Sequence, residues 1–186
     1  MSTGKTVSII TLLAGIAAIA AGVLGYRYLY PTPRPTQPPS LIPEATQILD
    51  KLPEFALPGL DGRPNQSSKW VGKVLILNFW ATWCPPCLRE MPAFIELQQE
   101  LGGKGLQFVG IAIDSPEAVR EFVDARAVNY PILIGEEDAI ELSRRLGNRM
   151  QGLPYSAIFD RAGRLVYSQA GELKPEAIRE QIKGLL

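Results

Sequence analysis

Histidine is absent from the 186 residues of this chain. That removes the Ser-His-Asp triad, Cys-His nucleophile pairs and imidazole metal sites. Cysteine is almost absent: Cys84 and Cys87 are the only two. A structural zinc site needs about four ligands, and one such chain cannot supply them. Charge is scarce at the start, where Lys5, Arg27 and Arg34 are the only charged side chains before Glu44. The formal net charge of zero therefore hides a split, with 16 basic and 19 acidic residues from Glu44 onward, a net of −3. A mildly acidic domain has no basic footprint for nucleic acid. No internal repeat is present.

The charge-free start is itself informative. The run from Thr6 to Tyr26, TVSIITLLAGIAAIAAGVLGY, has 21 residues, roughly 30 Å as a helix, the thickness of a bilayer core. It predicts a short tail over 1–6 and a transmembrane anchor over 7–27. A secretory signal cleaved near AIAAG is the competing reading. Basic residues flank both ends of the run, so the positive-inside count is near a tie; the short tail favours an inside N-terminus. Six prolines in the thirteen residues of PTPRPTQPPSLIP, 31–43, make 28–50 a Pro-rich linker, read as either a semi-rigid polyproline II stalk or a disordered tether.

Residues 51–186 alternate strand and helix patterns. EFALPGLDGRP reads as a short strand entering a turn. KVLILNFWA, 73–81, is a continuous apolar run that suits a central strand covered on both faces. PPCLREMPAFIELQQELGG predicts a helix with Leu88, Met91, Ile95 and Leu101 on its buried side, a kink at Pro92 and a stop at Gly102-Gly103. GLQFVGIAID, PEAVREFVDARA, YPILIG and EEDAIELSRRLG continue the alternation. YSAIFDRAGRLVYSQ holds two strands around a turn, and KPEAIREQIKGLL closes as an amphipathic helix. The pattern predicts a three-layer α/β/α domain with a mixed sheet.

The chemistry is concentrated in NFWATWCPPCLREMP, 78–92. A disulfide across so short a loop removes little entropy from the unfolded chain and is a poor staple. A soft thiolate pair can hold Cu(I), so copper handling stays open. Thiol–disulfide exchange fits the position best. Cys84 lies where a buried strand meets a helix, and free N–H groups and the helix dipole there stabilise thiolate over thiol. Thiolate is the attacking species. Cys87, one turn on, is placed to resolve the mixed disulfide. Pro85 and Pro86 restrain the backbone between them and remove two N–H donors.

With these residues in view, the chain resembles the TlpA/ResA-like, membrane-anchored branch of the thioredoxin-fold thiol–disulfide oxidoreductases. The likeness runs from Leu52 to the end and includes PEFALPGLDGRP and GLPYSAIFDRAGRLV as well as the CPPC motif. It implies a thioredoxin fold, with the segment from Pro116 to Gly135 as the helix–strand insertion of this branch. It implies that Pro92 is the family's helix-kinking proline and Pro154 its cis-proline, presenting the backbone of Leu153 beside Cys84 for an extended client. Many thioredoxins carry a buried aspartate six residues before the first cysteine; here Asn78, which cannot titrate, stands there. Interest passes to Glu90, read either as a proton carrier for Cys87 or as a surface glutamate. Trp83 is expected to cap the pair and face a client, Trp80 to pack in the sheet, and Trp70 to be structural. Asp114 is either an acid near the groove or a cap for the helix after it.

The resemblance further implies a reductase of client protein disulfides outside the cytoplasm, with no cofactor beyond the Cys84–Cys87 pair and no metal. Candidate clients are apocytochrome c and copper-site proteins of terminal oxidases. A transmembrane electron donor is implied, because the outer compartment is oxidising. A copper-binding assembly factor using the same cysteines is the alternative, weakened by the missing histidine; a peroxiredoxin-like peroxidase fits the CPPC motif less well.

Overall fold

The computed structural model describes residues 49–186, together with the helical positions Gly22, Gly25, Tyr26 and Leu29. The predicted anchor and most of the predicted linker lie outside the described residues. Among those described, no helix is long and apolar enough to cross a membrane. The chain divides into two units, Met1–Leu41 and Ile42–Leu186, and every element named below belongs to the second.

A five-stranded sheet forms the middle layer, in the order β5-β4-β3-β6-β7. Its centre is β3 (Val74–Trp80), buried at every position as its unbroken apolar sequence requires. Parallel to it run β4 (Leu106–Ala112) and then β5 (Ile132–Ile134). Antiparallel to it is β6 (Tyr155–Phe159), followed by β7 (Leu165–Ala170). The turn between the last two is held by Asp160, whose Oδ1 accepts from the Ala162 and Arg164 N–H groups at 2.9 Å each.

Alternation along β3 builds two cores. Val74, Ile76 and Trp80 face one layer with α1 (Pro85–Leu101), α2 (Pro116–Arg126) and α4 (Pro175–Ile182). Leu75, Leu77 and Phe79 face the other, with α3 (Glu137–Arg145), Leu57 and Trp70. EFALPGLDGRP forms the expected short strand and turn: β1 (Ala56–Pro58) leads through Gly62, φ 75°, into β2 (Pro64–Gln66), which pairs with it antiparallel.

Helix α1 differs from expectation in its buried stripe. Its fully buried stripe is Cys87, Met91, Phe94, Leu97 and Leu101, while Leu88 and Ile95 are only partly buried. Phe94 stacks on Phe108 with centroids 4.9 Å apart, and this large contact sets the helix rotation. The α-helix ends at Leu101 with Gly102 as its C-cap, as expected; Gly102–Lys104 follow as a 3-10 turn, and Gly105, with φ 106°, leads into β4. The helix runs unbroken through Pro92, which lies exposed.

Candidate active site

Cys84 is the N-cap of α1, with extended backbone, and Pro85 follows at the first helical position, where a missing N–H costs nothing. The Cys84 Sγ accepts from the Cys87 N–H at 3.4 Å. Polarity of this kind favours negative charge on the capping sulfur. The two cysteines are joined in a disulfide, with Cα atoms 5.3 Å apart. Cys87 is fully enclosed, while Cys84 retains 4% exposure. The difference gives them unequal access to a partner.

That access is through a groove of about 510 Å³ lined by Trp83, Cys84, Pro85, Pro86, Ile113, Ile140, Gln151 and Leu153. Trp83 is 67% exposed, whereas Trp80 and Trp70 are buried. The Leu153–Pro154 peptide bond is cis. Leu153 lines the groove, and Pro154 is buried behind it. The loop leading there is held by Asn148, which is itself buried: its Oδ1 accepts from the Gly152 N–H at 3.1 Å, and its Nδ2 donates to the Gly152 carbonyl at 3.0 Å. A separate pocket of about 240 Å³, between Lys51, Trp70 and Phe159, lies at the opposite end of β3.

Glu90 is not on the surface. It is 3% exposed. Its Oε1 accepts from Asn78 Nδ2 at 2.7 Å and its Oε2 from the Leu173 N–H at 2.7 Å. Burial pushes its pKa up to about 7, against the opposing pull of those two hydrogen bonds; the negative charge of Glu172 adds to the rise. Its placement three residues after Cys87 puts both on the same helix face.

Asp114 is not the cap of α2, which is Ser115, and it is not among the groove-lining residues. Its Oδ2 accepts from the Thr82 N–H at 3.0 Å and, more closely, from the Thr82 hydroxyl. Its Oδ1 accepts from the Ser115 N–H at 2.8 Å, while the Ser115 hydroxyl caps α2. Partial burial opposes the charge, but the hydrogen bonds from Thr82 and Ser115 outweigh it and hold the pKa below the usual aspartate range. Asp114 thus ties the loop just before Trp83 and Cys84 to the end of β4. Thr82, Asn148 and Ser156 were not singled out in the sequence. Ser156 alone left a signal, as the one serine in the buried strand YSAIF, opposite Asn78.

The Redoxin family model matches residues 47–186, three quarters of the chain. The chain belongs to the Redoxin family. Within this family it stands with the ResA-like thiol–disulfide oxidoreductases. It is 32% identical over 144 residues to the thiol-disulfide oxidoreductase ResA of Bacillus anthracis, covering 77% of this chain and 79% of that protein. A thiol:disulfide interchange protein of the thioredoxin family from Chlorobium tepidum has a similar structure, with TM-score 0.67, 28% identity, and coverage of 73% of this chain and 94% of its own. A putative DsbE thiol:disulfide interchange protein from the same organism gives 0.65 at 30% identity, with 72% and 93% covered. As a Redoxin of thioredoxin fold, the chain is a thiol–disulfide oxidoreductase, and the Cys84–Cys87 disulfide is the group suited to that exchange.

Proposed function

We propose that this Redoxin is a membrane-anchored, extracytoplasmic reductase of client protein disulfides. The observation that carries the reading is the asymmetry of the pair: Cys84 opens onto an uncharged groove, and Cys87 lies enclosed behind it beside Glu90.

In the reduced protein, the Cys84 thiolate attacks a client disulfide. A Cys84–client disulfide forms, and one client sulfur leaves as thiolate. Cys87 then gives its proton to the Glu90 carboxylate, and its thiolate attacks Cys84 Sγ. The Cys84–Cys87 disulfide closes and the second client sulfur leaves. Two electrons have passed to the client. A dithiol donor restores the pair, and a donor spanning the membrane suits a domain in an oxidising compartment. Trp83, Pro85 and Pro86 supply apolar surface for the client, and Leu153 supplies the backbone against which an extended segment lies. The uncharged run over 6–26 supports the anchor, and the relatives' names support the thiol–disulfide role. Apocytochrome c, with two cysteines that must be reduced before haem attachment, is the proposed client class.

The test is the reduction potential of the pair together with trapping by Cys87→Ser. A potential near that of thioredoxin, about −270 mV, is expected, and one near −120 mV overturns the reductase direction. Cys87→Ser should accumulate mixed disulfides through Cys84, and apocytochrome c should be among them.

A further inference from the structure

Asn78 sits at the centre of β3, and no titratable group stands where it does. It faces α1, with Ser156 opposite on β6 and Gly110 opposite on β4. Gly110 has no side chain to compete: a Cβ there would meet Ile132 Cδ1 at 2.6 Å and Trp80 Nε1 at 3.0 Å. The Asn78 Nδ2 spends its two hydrogens on Glu90 Oε1, at 2.7 Å, and Ser156 Oγ, at 3.0 Å. All three side chains are at most 3% exposed. The Asn78 Oδ1 is enclosed and has no hydrogen-bond partner.

We propose that Asn78 is a positioning residue whose side-chain amide serves Glu90 in both of its protonation states, with Ser156 as the second support. Toward a carboxylate the amide donates N–H, as seen here. When Glu90 takes up the Cys87 proton, its new O–H needs an acceptor. Half a turn of the amide presents Oδ1 to that O–H and to the Ser156 hydroxyl, which then donates in its turn. Each orientation makes two hydrogen bonds, so gain or loss of the proton leaves neither Glu90 Oε1 nor Ser156 unpartnered. An aspartate here would set two carboxylates within hydrogen-bond distance, and an apolar residue would orphan Glu90 in both states.

This inference rests on Glu90 exchanging the Cys87 proton. The other groups about Glu90 are Glu172 with its partner Arg89, Tyr130 from the segment before β5, and the cysteine pair on its own helix. Lys174, beyond Leu173, is exposed.

The experiment uses the full chain. The rate at which the Cys84–Cys87 disulfide closes from a Cys84–client mixed disulfide is followed across neutral pH, and the carbon-13 shift of the Glu90 carboxyl and the side-chain NH2 shifts of Asn78 are read in the oxidised protein. In the natural chain the Asn78 NH2 shifts should follow the Glu90 carboxyl with one midpoint, near 7. Asn78→Ala should raise that midpoint by less than about one pH unit, because the bond lost from the carboxylate is stronger than the one lost from the neutral acid. Asn78→Asp, which preserves volume, should raise it further, and Ser156→Ala should raise it less. In a Glu90→Gln background neither Asn78→Ala nor Ser156→Ala should move the rate profile. If Asn78→Asp and Ser156→Ala leave the midpoint in place while Glu90→Gln abolishes the titration, the role of Asn78 is overturned and that of Glu90 stands. If Glu90→Gln leaves the rate profile unaltered, both fall. An Asn78 NH2 that ignores the Glu90 titration overturns the amide turn.

Discussion

Single residues decide the pH behaviour of this domain. Glu90 binds its proton more tightly when folded, because enclosure penalises the carboxylate. Its contribution to stability is therefore complete below the ordinary glutamate pKa of 4.5 and is lost as pH rises through about 7. The loss amounts to about 3 kcal/mol across that window. Glu90→Gln should flatten the stability curve of the oxidised protein between these pH values, as read by urea denaturation in a pH series. A curve that falls equally in the variant would mean that Glu90 is hydrated in solution. Asp114 acts at the same scale on geometry. Asp114→Ala leaves the Thr82 N–H and hydroxyl without their acceptor, so Trp83 and Cys84 lose their tether. Alkylation of Cys84 in the reduced protein should then show a higher thiol pKa, and Asp114→Asn, which still accepts through one oxygen, should restore part of the difference.

At the scale of elements, the active-site wall depends on a short loop held from within. Asn148 grips both the N–H and the carbonyl of Gly152, and the chain then enters Leu153 and the cis bond. Asn148→Ala should destabilise the domain by about 1 kcal/mol, the net worth of hydrogen bonds whose Gly152 partners are exposed and can turn to water. Chemical denaturation measures this, and the same variant should trap fewer clients through Cys87→Ser. This loop also marks where the sequence became hard to read. The strands and helices were legible because each has a clean period or an unbroken apolar run, as in VLILNFW. The cysteine pair was legible from chemistry, through its position at a helix start. Asn148 was not, because an asparagine after Gly147 looks like any turn residue; what makes it structural is a contact four residues on. The rotation of α1 is hidden from the sequence for a related reason. Leu88 and Ile95 are as apolar as Phe94, and only stacking on Phe108, brought in by β4, decides which side is enclosed.

Across the whole domain, the segment that begins at Leu49 acts as a strap. Asp50 and Leu52 pair with the segment around Gly163 to Leu165 at one edge of the sheet, through Leu165 N–H to Asp50 O at 2.8 Å and Leu52 N–H to Gly163 O at 2.7 Å. The chain then crosses the α3 face, burying Leu57 and Trp70, and bridges Leu133 from Gly59 at the other edge. Both sheet edges are partly covered, which limits pairing with other chains. Both cores and both cysteines lie in the unit Ile42–Leu186. A chain lacking residues 1–41 should keep its insulin-reducing activity and lose its association with membranes, as measured by turbidity and by vesicle flotation. Loss of activity with the tail would show that the first unit takes part in the chemistry.

The exposed indole of Trp83 has an optical consequence. It adjoins Cys84 in sequence and shares its groove, and a neighbouring disulfide quenches indole emission. Opening the bond should brighten the protein, and Trp83→Phe should remove part of that change, while Trp70, in the core away from the cysteines, supplies a steady background. The molecule thus carries its own fluorescent gauge of oxidation, which can follow each turnover without an added dye.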